Sequence, residues 1–248
     1  MQTYSFANIL LSGPCNLACP ACIGKRLGAS ALPSNLDMFP LVGLDRFLEL
    51  QRTHHVRELS LTATNTEPQL YRHESRLISL VRERLPHVRL SLHTNGTRVL
   101  RKLETFNLYD RATLSVPSLR PETCLAMTGS ERVLDLEAIL QRSTIPIKVS
   151  TLVTDDNRAE IPWLLDRFRA AGVRRVVLRR PWQDTGAFDP LPELPVHHYF
   201  AHNPVLLYHD LEITVWDFHR TDLPCFNLFS DGTITDGYTL AGDSHGRC

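Results

Sequence analysis

The sequence predicts an α/β chain: about six parallel strands form an open, partial (β/α)6 barrel with a small C-terminal β appendage. Two observations carry this. Short strand-like segments alternate with helical apolar stripes from residue 7 to residue 180. The middle strands also alternate an apolar with a polar side, whereas a flat sheet covered by helices on both faces gives continuous apolar runs. A closed eight-stranded barrel fills its lumen with branched apolar side chains. A polar lumen with fewer strands fits an open barrel around a wet, ligand-sized interior.

The first strand is ANILL (7–11). Leu44, Phe47 and Leu48 repeat at helical spacing before the strand VRELSLT (56–62). Leu77, Ile78, Val81 and Leu85 form the next stripe, Pro86 stops it, and VRLSLHT (88–94) sets Arg89, Ser91 and His93 against Val88, Leu90 and Leu92. After the Asn95-Gly96 turn, ATLSV (112–116) sets Thr113 and Ser115 against Ala112, Leu114 and Val116. Residues 125–140 read as one or two helices broken near Gly129. IPIKVSTLV (145–153) places Lys148 and Ser150 on the polar side. Asn157 and Glu160 have the spacing of a helix cap and its N3 partner, ahead of Ile161, Leu164, Leu165 and Phe168 on one face. VRRVVLRR (173–180) is the sixth strand, with Arg179 assigned to the lumen and Arg180 to the helix side. The Pro-rich segment 181–195 ends the alternation, and 211–218 and 225–235 read as β, with Asp231-Gly232 a hairpin turn. The expected division is a core over 1–182 and an extension over 183–248 that covers the barrel opening.

Composition narrows the function classes. Lys plus Arg (27) equals Asp plus Glu (27), so no global field draws the chain to nucleic acid or an anionic membrane. No apolar run is long enough to span a bilayer, and the first residues lack the basic start of a signal peptide. The expectation is a cytoplasmic protein without nucleic-acid or membrane partners.

Six cysteines are too few for a disulfide scaffold. Cys15, Cys19 and Cys22 share one loop, while Cys124, Cys225 and Cys248 are scattered. Three clustered thiols leave one over in any pairing, so the C-x3-C-x2-C spacing points to metal. Structural zinc takes four protein ligands, and here the fourth has to come from afar. A [4Fe–4S] cluster on three thiolates leaves one iron open for an outside ligand. The iron–sulfur reading is preferred, with zinc as the alternative.

With that loop directly after the first strand, the chain resembles the radical S-adenosylmethionine (SAM) superfamily over roughly residues 5–180. CNLACPAC (15–22) is similar to its cluster loop, TNTEP (64–68) stands where the family has Gly-Gly-Glu-Pro, and SLHTNG (91–96) resembles its third-strand ending. LSVPSLRPETCLAMTG (114–129) resembles its fourth strand and helix, and Lys148 and Asn157 fall where a molybdenum-cofactor-cyclase-like branch has Lys and Asn. The resemblance implies Cys15, Cys19 and Cys22 as ligands of one [4Fe–4S] cluster. It implies SAM contacts from Asn65, Thr66, Glu67, Thr94, Ser115 and Ser150, with Glu67 accepting from the SAM ammonium. It further implies reductive SAM cleavage, hydrogen abstraction from a small-molecule or peptide substrate, and an electron donor such as flavodoxin or ferredoxin. Lys148, Arg179 and His93 are the substrate candidates, Lys148 as the partner of an anionic group on substrate or SAM. The sequence departs from the family at Ala21, where an aromatic residue is usual, and at Asn65-Thr66 in place of two glycines.

CFNLFSDGTITDGY (225–238) resembles a stripped-down SPASM/twitch segment, the C-terminal cluster module of peptide-modifying relatives, with Thr235-Asp236 where a second Cys would stand. Cys124 is expected on the outer helical layer, which leaves Cys225 as a hydrogen-atom donor or as a small buried hydrophobe. Rival functions are a peptide-modifying maturase, a glycyl-radical activase, and a non-enzymatic binding module stabilised by zinc or a cluster. His197, His198, His202 and His209 read as loop histidines, and Trp182 and Trp216 either cover the barrel mouth or pack the appendage.

Overall fold

The computed structural model describes residues 4–26, 32–221 and 223–236. Six strands run parallel and pair in sequence order: β1 (Phe6–Leu11), β2 (Glu58–Ala63), β3 (Arg89–Thr94), β4 (Arg111–Ser115), β5 (Ile147–Leu152) and β6 (Arg175–Arg179). Between them lie α1 (Ile23–Arg26), α2 (Leu44–Thr53), α3 (Glu74–Arg84), α4 (Leu103–Phe106), α5 (Pro121–Thr128) and α6 (Leu136–Arg142), with α7 (Ile161–Ala170) between β5 and β6. Parallel neighbours need such crossovers. The helices bury the predicted stripes: Leu44, Phe47 and Leu48 on α2, Leu77, Ile78 and Val81 on α3, and Ile161, Leu164, Leu165 and Phe168 on α7. These join the apolar side of the strands, Leu59, Leu61, Leu90, Leu92, Leu114 and Val149, in one core.

Residues 125–140 divide into two helices as the alternative reading expected. α5 begins at Pro121, where a missing N–H costs nothing, and ends on Gly129 at φ 73°. Asp135 then caps α6 by accepting from Ala138 N at 3.0 Å. The capping box expected at Asn157 and Glu160 is not formed. Asn157 turns inward, where its Nδ2 donates to Pro117 O (2.8 Å) and Leu152 O (2.9 Å) and its Oδ1 accepts from Thr154 N (2.9 Å). Glu160 instead accepts from Ser118 and Thr123, both at 2.5 Å. Both residues bind the loop after β4 because that buried loop has polar groups to satisfy.

The C-terminal extension is not a separate appendage, and the sheet has no break at 182/183. It supplies β7 (Val196–Phe200), β8 (Asn203–Tyr208), β9 (Leu211–Trp216), β10 (Cys225–Leu228) and β11 (Ile234–Thr235) to the same sheet. The order is β11-β10-β1-β2-β3-β4-β5-β6-β9-β8-β7. β9 lies parallel to β6 and β10 parallel to β1, so both edges of the six-stranded core gain a strand. An open sheet leaves unpaired N–H and C=O groups at each edge, and these additions satisfy them. Asp231-Gly232 forms the expected turn between β10 and β11, with Thr233 N donating to Asp231 Oδ1 at 2.9 Å. The histidines fall into place as geometry: His202 and His209 adopt positive φ in the tight turns flanking β8, and His197 and His198 lie on the exposed edge strand β7. Residues 237–248, including Cys248, lie outside the described residues. Among the described residues no helix is long and apolar enough to cross a membrane.

Candidate active site

The polar parity of the strands lines one cavity of about 570 Å³. Asn8 on β1, Thr62 on β2, His93 on β3, Thr113 and Ser115 on β4, Lys148 and Ser150 on β5, and Val177 and Arg179 on β6 face it. That volume lies within the range of small-molecule sites. Side chains two apart along a strand share a face. Toward the amino-terminal ends of the strands, outside the cavity lining, this face is ionic: Glu58 pairs with Arg89 and with Arg111 (2.5 Å), and Arg175 pairs with Glu212 of β9 at 3.3 Å.

The cysteine loop closes one end. Cys15, Cys19 and Cys22 are half-buried free thiols that line the cavity together. Burial pushes the Cys15 and Cys19 thiols up; at Cys15 the nearby charges of Glu67 and Cys22 add to this, and at Cys19 those of Cys15 and Cys22. Thiols this close to one another repel as thiolates, and cationic metal relieves that repulsion. Among the described residues no three His, Cys, Asp or Glu side chains converge on a single ion. A cubane cluster takes its thiolates on separate corners, so they stand farther apart than around one ion. A soft, all-thiolate set of three in one loop beside open space therefore fits a cluster better than a zinc ion.

Three clamps hold the loop. At the end of β2, Asn65 Oδ1 accepts from Ser12 Oγ and Gly13 N, both at 3.1 Å, and the Thr66 hydroxyl donates to Pro14 O at 2.5 Å. After β3, Asn16 donates to Thr97 Oγ1 (2.6 Å) and accepts from Asn95 Nδ2 (3.0 Å). At the end of α5, Ala18 N donates to Thr128 O at 2.8 Å, and a Cβ on Gly129 would approach Ala18 Cβ to 2.9 Å.

The residues nominated from the sequence thus meet in one place, with qualifications. Asn65 and Thr66 line the cavity, but their side chains are committed to the loop. Glu67 is buried and accepts from Thr94 Oγ1 (2.5 Å), Asn95 N (2.7 Å) and Gln69 N (3.1 Å). Burial raises its pKa more than these three donors lower it. A carboxylate offers about four acceptor sites, so one remains, on Oε2. Thr94 is spent on Glu67 and Gly96 N, whereas Ser115 and Ser150 face the cavity with no hydroxyl partner among the described residues. His93 stands in the cavity, reached by solvent through it. Its pKa lies below the ordinary imidazole range, first from desolvation by the surrounding walls and then from the charges of Lys148, Arg179 and Arg111.

Two cysteines stand elsewhere than expected. Cys124 is buried but lines the cavity, its thiol donating to Ser118 O at 3.3 Å, because α5 turns this side inward against the cysteine loop. Cys225 is fully buried on β10 and is not among the cavity-lining residues. Of its two readings, that position favours the small buried hydrophobe over the hydrogen-atom donor. Sequence reasoning also missed Asn8, whose side chain donates to Asn227 Oδ1 at 2.8 Å; one polar residue in the apolar run ANILL was its signal. Arg180 was expected on the helix side, yet it is buried at the cavity wall, pairing with Asp217 at 2.7 Å and donating to Gly186 O at 2.6 Å. Trp182, Trp216 and Phe218 line the mouth.

No protein-family model matches the chain, and no curated sequence matches it. Solved structures share its fold. SuiB of Streptococcus suis bound to S-adenosylmethionine superposes with a TM-score of 0.57 at 17% identity, over 74% of this chain and 42% of SuiB. SuiB bound to the precursor peptide SuiA gives 0.55 at 17%, over 72% and 40%. Native anSMEcpe with AdoMet and the Cp18Cys peptide gives 0.53 at 16%, over 74% and 54%. The chain spans about half of those proteins' length or less, and at such identity the likeness is one of fold.

Proposed function

We propose that the protein is a radical SAM enzyme, with a partial barrel for its reaction chamber. The observation that carries the reading is the clamped loop of three free thiols at one end of a cavity lined by the polar side of parallel strands. Proteins of the same fold that have been solved with S-adenosylmethionine support it. Cys15, Cys19 and Cys22 would hold a [4Fe–4S] cluster. The chemistry such a cluster supplies is one-electron cleavage of the SAM sulfonium, which yields a 5′-deoxyadenosyl radical able to abstract hydrogen.

The chain's own residues orient and exclude. Asn65, Asn16 and Thr128 fix the cysteine loop before any ligand arrives, so its ordering cost is already met in the folded protein. The free site on Glu67 Oε2 and the Thr66 backbone receive the SAM ammonium, and Ser115 and Ser150 offer hydroxyls to its polar groups. Trp182, Trp216 and Phe218 screen the mouth from water, which protects a radical from side reactions. Lys148, Arg179 and His93 face the substrate. A peptide substrate is the more specific reading, supported by the peptide complexes of SuiB and anSMEcpe. An electron donor such as flavodoxin or ferredoxin completes the system.

The test is anaerobic reconstitution. Wild-type protein should carry about four irons and, once reduced, release 5′-deoxyadenosine from SAM. Replacing any of Cys15, Cys19 or Cys22 with Ala should abolish both. Stoichiometric zinc with no iron would overturn the proposal in favour of a zinc-stabilised binding module.

A further inference from the structure

We propose that the Lys148 end of the cavity is a carboxylate-binding subsite with this lysine as its cation, and that the substrate joins a carboxylate to an apolar body. The inference rests on reading the cavity as a reaction chamber, and it names the class of molecule that enters. Lys148 sits near the start of β5, opposite Thr113 of β4, and lines the cavity half-buried. Among the described residues it has neither an ion pair nor a hydrogen bond. The charges that act on it are Arg111, Arg175, Arg179 and Glu212. Glu212 is held by Arg175, and the neighbouring carboxylate at the amino-terminal ends of the strands, Glu58, is shared by Arg89 and Arg111. Each of these acids therefore has its arginine, and neither pairs with the lysine. A cation withdrawn from water without a partner is costly. Burial first, and then Arg111, Arg175 and Arg179, lower its pKa to about 8, so it remains a cation near neutral pH. The Lys148 end of the cavity thus presents an uncompensated positive charge to a ligand-sized space.

The other half of the recognition lies toward the mouth. Leu152 of β5 is opposite Arg179, and Arg179 is opposite Trp216 of β9. Four residues separate Lys148 from the level of Trp216, about 13 Å of strand rise. Val177 lies part-way along this wall, and at the top Phe218 packs against Trp182 and Trp216 at ring distances of 5.7 and 6.2 Å. A molecule with its carboxylate on Lys148 lays an apolar body along Val177 toward the tryptophans. A short aryl acid and the carboxy-terminal residues of a peptide both have this chemistry.

The probes are 3-phenylpropanoate with its neutral amide, and the tripeptide Ala-Ala-Phe with its carboxy-terminal amide, read on the holoenzyme by tryptophan fluorescence. Each acid should bind at least tenfold more tightly than its amide. Lys148→Met should erase that preference while leaving the amides unchanged, and Lys148→Arg should restore much of it. Tighter binding of the tripeptide pair assigns a chain terminus, and tighter binding of the aryl pair a small acid; either supports the subsite. Equal binding of acid and amide to wild-type protein overturns it, whether or not the variants fold. So does a Lys148→Met variant that weakens SAM binding and leaves the probes untouched, because the lysine then serves the cofactor. Iron content and 5′-deoxyadenosine release in the same preparation report separately on the reaction. Intact acid preference without iron upholds the subsite and sinks the radical reading, whereas intact SAM cleavage without acid preference does the reverse.

Discussion

At Gly24 a single hydrogen atom decides whether the cysteine loop can dock. A Cβ built there would lie 1.9 Å from Thr64 O, a backbone atom at the end of β2 that cannot swing aside. The family resemblance places two glycines at Asn65-Thr66, for close backbone approach to SAM. In this chain Asn65 holds Ser12 and Gly13 instead, and Gly24 of α1 lets the loop's end pack on the backbone of Thr64. Gly24→Ala should therefore push the loop off β2. We expect a several-fold fall in iron bound on reconstitution and faster labelling of the loop thiols by a thiol reagent, with the sheet's melting nearly unchanged. Normal iron loading in this variant would show that the loop tolerates the displacement. That the three thiols share one place was legible because they fall within a single short loop. Its clamps were not, because Asn16, Asn65 and Thr128 are bound to partners tens of residues away, and only the fold brings such pairs together.

At the scale of elements, Asn157 shows how a sound local reading loses to a tertiary demand. Asn followed three residues later by Glu fits a helix start, yet the loop after β4 leaves Pro117 O part-buried near the end of β5 and within reach of Asn157. Asn157 alone satisfies Pro117 O, Leu152 O and Thr154 N, and so locks the tops of β4 and β5 together. Asn157→Ala strands these groups and should cost roughly 2–4 kcal/mol, measured by urea denaturation. Asn157→Asp should lose nearly as much, because a carboxylate cannot donate to two carbonyls. A loss below about 0.5 kcal/mol would mean that water takes over all three bonds. The strands themselves were legible: the alternation of Arg89, Ser91 and His93 with apolar neighbours is a period-2 signal that survives any change of context. VHHYF and NPVLLY were not read as strands, because histidines and Pro204 hide the pattern and β7 is exposed on both faces.

The whole molecule depends on how the chain after residue 182 returns to the sheet, and no local pattern specifies that. β9 could have paired with any open edge; it lies beside β6, and Arg180–Asp217 joins the two strand ends in a buried ion pair at 2.7 Å. Asp217 also accepts from His219 N (2.9 Å), while its own N–H donates to Asn203 Oδ1 at 2.7 Å, so the pair anchors β8 as well as β9. Arg180 in turn reaches Gly186 O and ties down the Pro-rich segment next to Trp182 at the cavity mouth. Removing Asp217 leaves the buried Arg180 only the longer contact to Asp184 at 3.9 Å, and losing the close partner of a buried pair costs about 3–5 kcal/mol. Asp217→Ala should show that loss in chemical denaturation and should also open the mouth, raising the accessibility of Trp182 and Trp216 to a fluorescence quencher. Replacing both charges, Arg180→Met with Asp217→Leu, should recover most of the stability, because apolar pairs of similar volume replace buried ion pairs at little cost. The double variant should not regain full quencher protection, since methionine cannot hold Gly186 O. If Asp217→Ala costs less than about 1 kcal/mol, water reaches Arg180. The edge formed by β7, β8 and β9 is then held by its backbone ladder alone.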